Sequence, residues 1–153
     1  MLKERVDYKD FDGNDCSIDL YFNISRPELI DLQFSTEGGL RAHIERIALT
    51  KDVKELYNLV TEIVIKSYGE RTPDGKSFIK KTPDGRYLGE MFLYHAAYEP
   101  FFLKLIENET NIANFINAVT PTLTDEERKE SEKIVKEMQS KLASDFTVIA
   151  SNK

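Results

Sequence analysis

The clearest alternation of apolar and polar positions lies near the N-terminus. Cys16, Ile18, Leu20, Phe22 and Ile24 take turns with Ser17, Asp19, Tyr21 and Asn23, which predicts a strand over 16–24 with one apolar face. Val6 and Tyr8, extended to Phe11, carry a weaker two-residue period over 5–11. DGND at 12–15 separates the two runs, and Asp12-Gly13 is a hairpin signal because glycine reaches positive φ without a Cβ penalty. A lone hairpin is marginal in water, so this one must pack on helices or pair with another chain.

From residue 25 the period lengthens. Ser25 with Glu28 forms a capping box, and Pro27 sits in the first turn, so a short helix starts there, with Leu29, Ile30 and Leu32 as its apolar surface and Phe34 anchoring its end. Gly38-Gly39 allows a tight turn or a close helix contact. Leu40, Ile44, Ile47 and Ala48 mark the next amphipathic helix, and Thr50 is placed to cap the one after it. That helix carries the longest stripe: Val53, Leu56, Tyr57, Val60, Ile63, Val64 and Ser67, with Gly69 placed as the left-handed residue beyond its last turn.

Residues 70–89 are the least regular, with TPDG at 72–75 and again at 82–85, each a turn signal. Phe78 and Ile79 between them are apolar in a polar loop, so one or both should be buried as an anchor. Helices resume near Tyr87 in a very aromatic stretch. A separate helix starts at Glu99-Pro100, a break falls at 108–110, and a last short helix through Ile112, Phe115, Ile116 and Val119 stops at Pro121. Thr124 with Glu127 caps a charged helix whose narrow stripe is Ile134, Val135, Met138 and Leu142, followed by a flexible tail. The expected fold is α+β: a β-hairpin (1–24) packed on a mainly helical core (25–121) of about five or six helices, with a C-terminal charged helix and tail (122–153).

Composition narrows this picture. The 153 residues are 41% hydrophobic, enough for one domain with a real core and no disulfide staples. No apolar run approaches the roughly 18 residues of a membrane span. MLKERVDYKD has no apolar signal region and Cys16 is the only cysteine, which together predict a cytosolic protein. The net charge of −6 and the scattered Lys and Arg argue against nucleic-acid binding.

Little chemistry is encoded. His43 and His95 are far apart and neither has metal-ligand spacing; an ordinary boundary histidine and a satisfied, partly buried one are the better readings. Cys16 follows the apolar face of its strand and behaves as a small hydrophobe. Asp10, Asp12, Asn14 and Asp15 mimic a calcium loop briefly, but an EF-hand needs Gly where Asp15 stands and Glu where Tyr21 stands. No phosphate-binding glycine loop is present. Lys76, Lys80, Lys81 and Arg86 with Phe78 and Tyr87 read as a solvated loop with an apolar anchor rather than an RNA or phosphate site. No catalytic residue, cofactor or metal is expected. What remains is a supply of apolar surface, which suits protein–protein contact.

Several blocks, in order, resemble the tail assembly chaperones of long-tailed, siphovirus-like bacteriophages of Gram-positive hosts. They are Tyr8-Lys9-Asp10-Phe11-Asp12-Gly13-Asn14, Leu20-Tyr21-Phe22-Asn23-Ile24-Ser25 with Glu28-Leu29, and Ser35-Thr36-Glu37-Gly38-Gly39-Leu40. Ile65-Lys66-Ser67-Tyr68-Gly69-Glu70, Asp74-Gly75-Lys76-Ser77-Phe78-Ile79-Lys80 and Phe115-Ile116-Asn117-Ala118-Val119-Thr120-Pro121 complete the series, which covers roughly 5–121. The second TPDG with Arg86-Tyr87 and the charged helix at 124–143 depart from the family pattern.

The resemblance implies a non-enzymatic assembly factor of the infected cell's cytoplasm, absent from the finished virion. Its partner would be the tape measure protein, kept soluble while the tail tube forms, with the tail tube protein as a second candidate. No nucleic acid and no membrane are implied, and a homo-oligomer through the hairpin edge or the last helix has room. Candidate contact residues are Met91, Phe92, Tyr94, Tyr98, Phe101 and Phe102, with Ile134, Met138 and Leu142 for the client or for self-association. The competing readings are a structural tail-completion or connector protein of the virion and a host protein-binding adaptor.

Overall fold

The computed structural model describes residues 1–36 and 38–121. They fall into two compact units, Met1–Ser25 with Val53–Pro121, and a second whose described part is Arg26–Asp52. The predicted charged helix and tail at 122–153 lie outside the described residues.

In the first unit the hairpin is built from β1 (Leu2–Lys9) and β2 (Asp15–Phe22), antiparallel with Val6 opposite Ile18 and Tyr8 opposite Cys16. β1 therefore starts earlier than the alternation suggests, and Phe11 belongs to the turn, 88% exposed. The turn is held by Asp10, whose carboxylate accepts from the backbone N–H groups of Asp12 (2.9 Å) and Asn14 (2.8 Å), with Gly13 at φ 85°. These bonds, the Asn14 N–H first, hold the Asp10 carboxyl below the usual aspartate range. On the outer face Asp19 pairs with both Lys3 (3.7 Å) and Arg5 (3.6 Å).

The hairpin is half of a larger sheet. β3 (Tyr68–Arg71) pairs antiparallel with β2, placing Gly69 opposite Tyr21, and β4 (Phe78–Ile79) pairs with β3. The order is β1-β2-β3-β4, continued by a bridge between Lys81 and Tyr87. The segment expected to be irregular is thus a β-meander. Both TPDG sequences form a tip held by their Thr and Asp, the second closing one residue sooner than the first. The Thr72 N–H donates to the Ser77 carbonyl (2.9 Å), its hydroxyl donates to Asp74 (2.6 Å), and Thr82 repeats the pattern with Arg86 and Asp84.

Gly69 does not end a helix in the left-handed region. α3 (Val53–Ser67) runs straight into β3, and Gly69 is buried inside the strand pair. The transition is stabilised by Ser67, fully buried, whose hydroxyl donates to the Ile63 carbonyl and whose own carbonyl accepts from Asn23 N–H at 2.8 Å.

Three further helices complete this unit: α4 (Leu88–Phe92), α5 (Tyr98–Ile106) and α6 (Glu109–Val119). Asn108 caps α6, its side chain accepting from Asn111 N–H at 2.8 Å, and Thr120 closes it. The core centres on Phe22, which has no exposed surface. Its ring stacks on Phe101 at 5.0 Å and meets Phe115 edge-on at 5.3 Å. Beside it Tyr68 stacks on Phe92 at 4.4 Å. Ile24, just past β2, stays buried and donates its N–H to the Val119 carbonyl at 2.8 Å, tying the sheet to the end of α6.

In the second unit α1 (Arg26–Ser35) and α2 (Leu40–Thr50) are joined by the Gly38-Gly39 turn, both glycines at positive φ. Gln33 Oε1 accepts from Leu40 N–H at 2.7 Å, in the space a Cβ on Gly39 would occupy. Phe34 does not anchor α1; it is 39% exposed, while Leu29 and Leu32 are buried. Thr50 belongs to α2, its hydroxyl donating back to the Arg46 carbonyl, and left-handed Lys51 ends that helix by donating to Ile47 O at 2.8 Å.

Candidate functional site

α4 is five residues long, and Gly89 brings it against the backbone of Ile65 in α3, where a Cβ would overlap the Ile65 carbonyl. Phe92, three residues on, follows Gly89 into the core, and Met91 faces out. A tight turn then reverses the chain. Tyr94 N–H donates to Met91 O, His95 N–H to Phe92 O, and His95 Nδ1 accepts from Ala97 N–H at 3.0 Å. His95 is thus satisfied, but exposed rather than partly buried. The turn leaves Tyr94 84% exposed.

The six candidate residues of this stretch therefore divide. Phe92 and Phe101 are buried in the core, Met91 and Tyr94 face solvent, and Tyr98 and Phe102 are half-buried. Ile134, Met138 and Leu142 lie outside the described residues. Phe102 meets Tyr57 edge-on at 5.5 Å and leans on Tyr98 at 5.6 Å. Burial, then the neighbouring Tyr57, pushes the Tyr98 phenol up. The Thr61 hydroxyl lies near enough to oppose this, yet neither buried hydroxyl has a hydrogen bond of good geometry.

Leu103, Ile106 and Tyr57, none of them among the candidate contact residues and Tyr57 read as part of the α3 stripe, add to the exposed apolar surface. A signal for two of them existed. In α5, Phe101, Phe102, Leu103, Leu105 and Ile106 cover more of the helix circumference than one buried face needs, so some must remain outside.

A groove of about 790 Å³ opens between α5 and the far half of the hairpin. Tyr8, Cys16, Pro100 and Leu103 line it together with Asp7, Asp15 and Glu99. Tyr8 is fixed edge-on against His95 at 5.4 Å, and Cys16 Sγ lies 3.8 Å from Asp10 Oδ2. Ser17 donates to Asp7 at 2.8 Å, and Lys9 pairs with Asp15 at 3.1 Å. Among the described residues no group of His, Cys, Asp or Glu could hold a metal ion.

The basic segment stacks cations on its own aromatic rings. Lys81 sits over the Tyr87 ring at 4.6 Å, Lys80 over Phe78 at 5.9 Å, and Arg86 pairs with Asp84 at 3.0 Å. Phe78 is the half-buried anchor of this loop; Ile79 remains 45% exposed. His43 faces Arg46, Nδ1 to guanidinium, at 3.0 Å.

No described helix is long and apolar enough to cross a membrane. No curated protein and no solved structure matches the chain. A family model described as phage tail assembly chaperone matches residues 1–151, which is nearly the whole chain. With a small α+β body that leaves aromatic and aliphatic side chains outside its core, the chain belongs to the phage tail assembly chaperone family, a non-catalytic family of viral proteins.

Proposed function

We propose that this chaperone binds the tape measure protein of a long-tailed, siphovirus-like phage of a Gram-positive host and keeps it soluble while the tail tube assembles. It acts in the cytoplasm of the infected cell and is not retained in the virion. The tail tube protein is a second candidate partner. The host and phage type rest on the ordered sequence blocks between residues 5 and 121.

The observation that carries the reading is the apolar surface left open around α4 and α5: Met91, Tyr94, Leu103 and Ile106 exposed, with Phe102 half-buried on Tyr57. A long helical client presents apolar stripes, and exposed apolar groups on a rigid support cover such stripes reversibly. The net charge of −6 opposes association of the chaperone with itself.

Co-expression with the tape measure protein of the same genome tests this. A soluble client that copurifies with the chain is the expected result. A client that stays insoluble, with nothing copurifying, removes the tape measure reading and favours a structural tail component, which would then be found in purified particles.

A further inference from the structure

We propose that the outer face of the sheet, at the end where β1, β2 and β3 meet, binds single-stranded nucleic acid, with bases on Tyr21 and Phe78 and phosphates on the cations around them. The proposal is independent of the tape measure reading.

Strand register brings the rings together. Phe22 and Tyr68 oppose each other on the core side, so the neighbouring row, Lys3 opposite Tyr21 and Tyr21 opposite Gly69, faces outward. The ring of Phe78 covers the Cβ side of Gly69, which sets it on the same outer face, one strand from Tyr21. Both rings are half-buried. They lie away from the core that Phe22 organises.

Lys and Arg that are scattered along the chain meet around these rings. Lys3 and Arg5 come from β1, Arg71 from β3, and Lys80 follows β4 directly. One carboxylate, Asp19, serves both Lys3 (3.7 Å) and Arg5 (3.6 Å). Arg71 is exposed and has no acidic partner among the described residues. Toward the hairpin turn the same face becomes acidic, with Asp7 and Asp15 beside Lys9, so the cationic surplus is confined to the end next to β3. The net charge of −6 conceals it.

Lys3 stands over the Tyr21 ring and Lys80 over the Phe78 ring, each at 5.9 Å. That is the outer limit of cation–π attraction, so a base can take the ring while the ammonium turns to a phosphate. Cations alone would also suit an acidic protein segment. The rings select nucleic acid, because every base offers a π-face and a carboxylate side chain offers none. A duplex keeps its base faces inside the stack, so the strand must be single.

The test is fluorescence anisotropy of labelled oligo(U) and oligo(dT), about ten nucleotides long, with the full-length chain. Affinity should fall with salt at a log–log slope of about −2, as for about three phosphate contacts. Arg71→Glu should weaken binding about tenfold, flatten the slope by about 0.7, and unfold thermally like the wild type. Tyr21→Thr keeps a strand-favouring residue and should weaken binding about tenfold with the slope unchanged.

No binding by the wild type at low salt overturns the proposal, as does equal binding by Arg71→Glu. If polyglutamate displaces the oligomers as readily as unlabelled oligo(U) does, and Tyr21→Thr binds like the wild type, the face takes an acidic protein segment and the assignment falls. Equal affinity for both oligomers supports stacking with phosphate contact, and a preference for oligo(U) supports added recognition of the 2′-hydroxyl.

Discussion

The ring of Phe78 lies across the α-carbon of Gly69, so close that a Cβ there would come within 2.6 Å of its Cε1 and of the Ile79 carbonyl oxygen. Gly69→Ala should therefore push β4 off β3, at an overpacking cost of about 1–3 kcal/mol. Urea unfolding should show a lowered midpoint. An unchanged midpoint would mean that β4 yields freely.

Phe22 tests the core. Its ring touches Tyr68, Phe92, Phe101 and Phe115. Phe22→Ala should cost about 3–5 kcal/mol, a large part of the roughly 5–15 kcal/mol that holds a domain together. The expected readout is loss of the cooperative thermal transition or a large drop in its midpoint.

Acid should loosen the turns before the helices. The folded chain holds Asp10, Asp74 and Asp84 below the ordinary aspartate value, the largest causes being the Asn14 N–H and the hydroxyls of Thr72 and Thr82. A carboxyl depressed on folding contributes stability above its unfolded value of about 3.9, and that contribution is lost as pH falls through the lower folded value. Amide exchange at Asn14, Lys76 and Arg86 should accelerate in that window while α3 stays protected.

Tyr94→Ser separates function from folding. Its side chain is 84% exposed, so stability should change by less than about 0.5 kcal/mol. The yield of soluble tape measure protein should fall. Equal yield from the variant would take Tyr94 out of the contact surface.

Much of the fold could be read from periodicity. The strand around Leu20 and Phe22 alternates cleanly, and α3 repeats its apolar residues long enough to be unmistakable. β3 and β4 could not be read this way, because four and two residues are too few to show a period. The partner of β3 is the edge of β2, far back in the chain, β4 pairs only with β3, and only the two turns that end them leave a local trace. Gly69 misled for the same reason: a glycine after a helical stripe has the composition of a helix stop, and its true constraint is Phe78 from across the sheet. The candidate surface divided into buried and exposed members because α4 ends at Phe92 and the chain reverses through Tyr94, so no single helical face spans the aromatic run.

The sheet is fastened unequally. Eight register pairs join β1 to β2, two join β2 to β3, two join β3 to β4, and one bridge follows. Local opening costs least where the fewest hydrogen bonds must break together. The meander should therefore unzip from the Lys81–Tyr87 bridge inward, with the hairpin surviving until the Phe22 core itself gives way. On that order of opening the meander would behave as a flap on the firmer hairpin, and its two tips each close their own hydrogen bonds and need no help from the body to re-form.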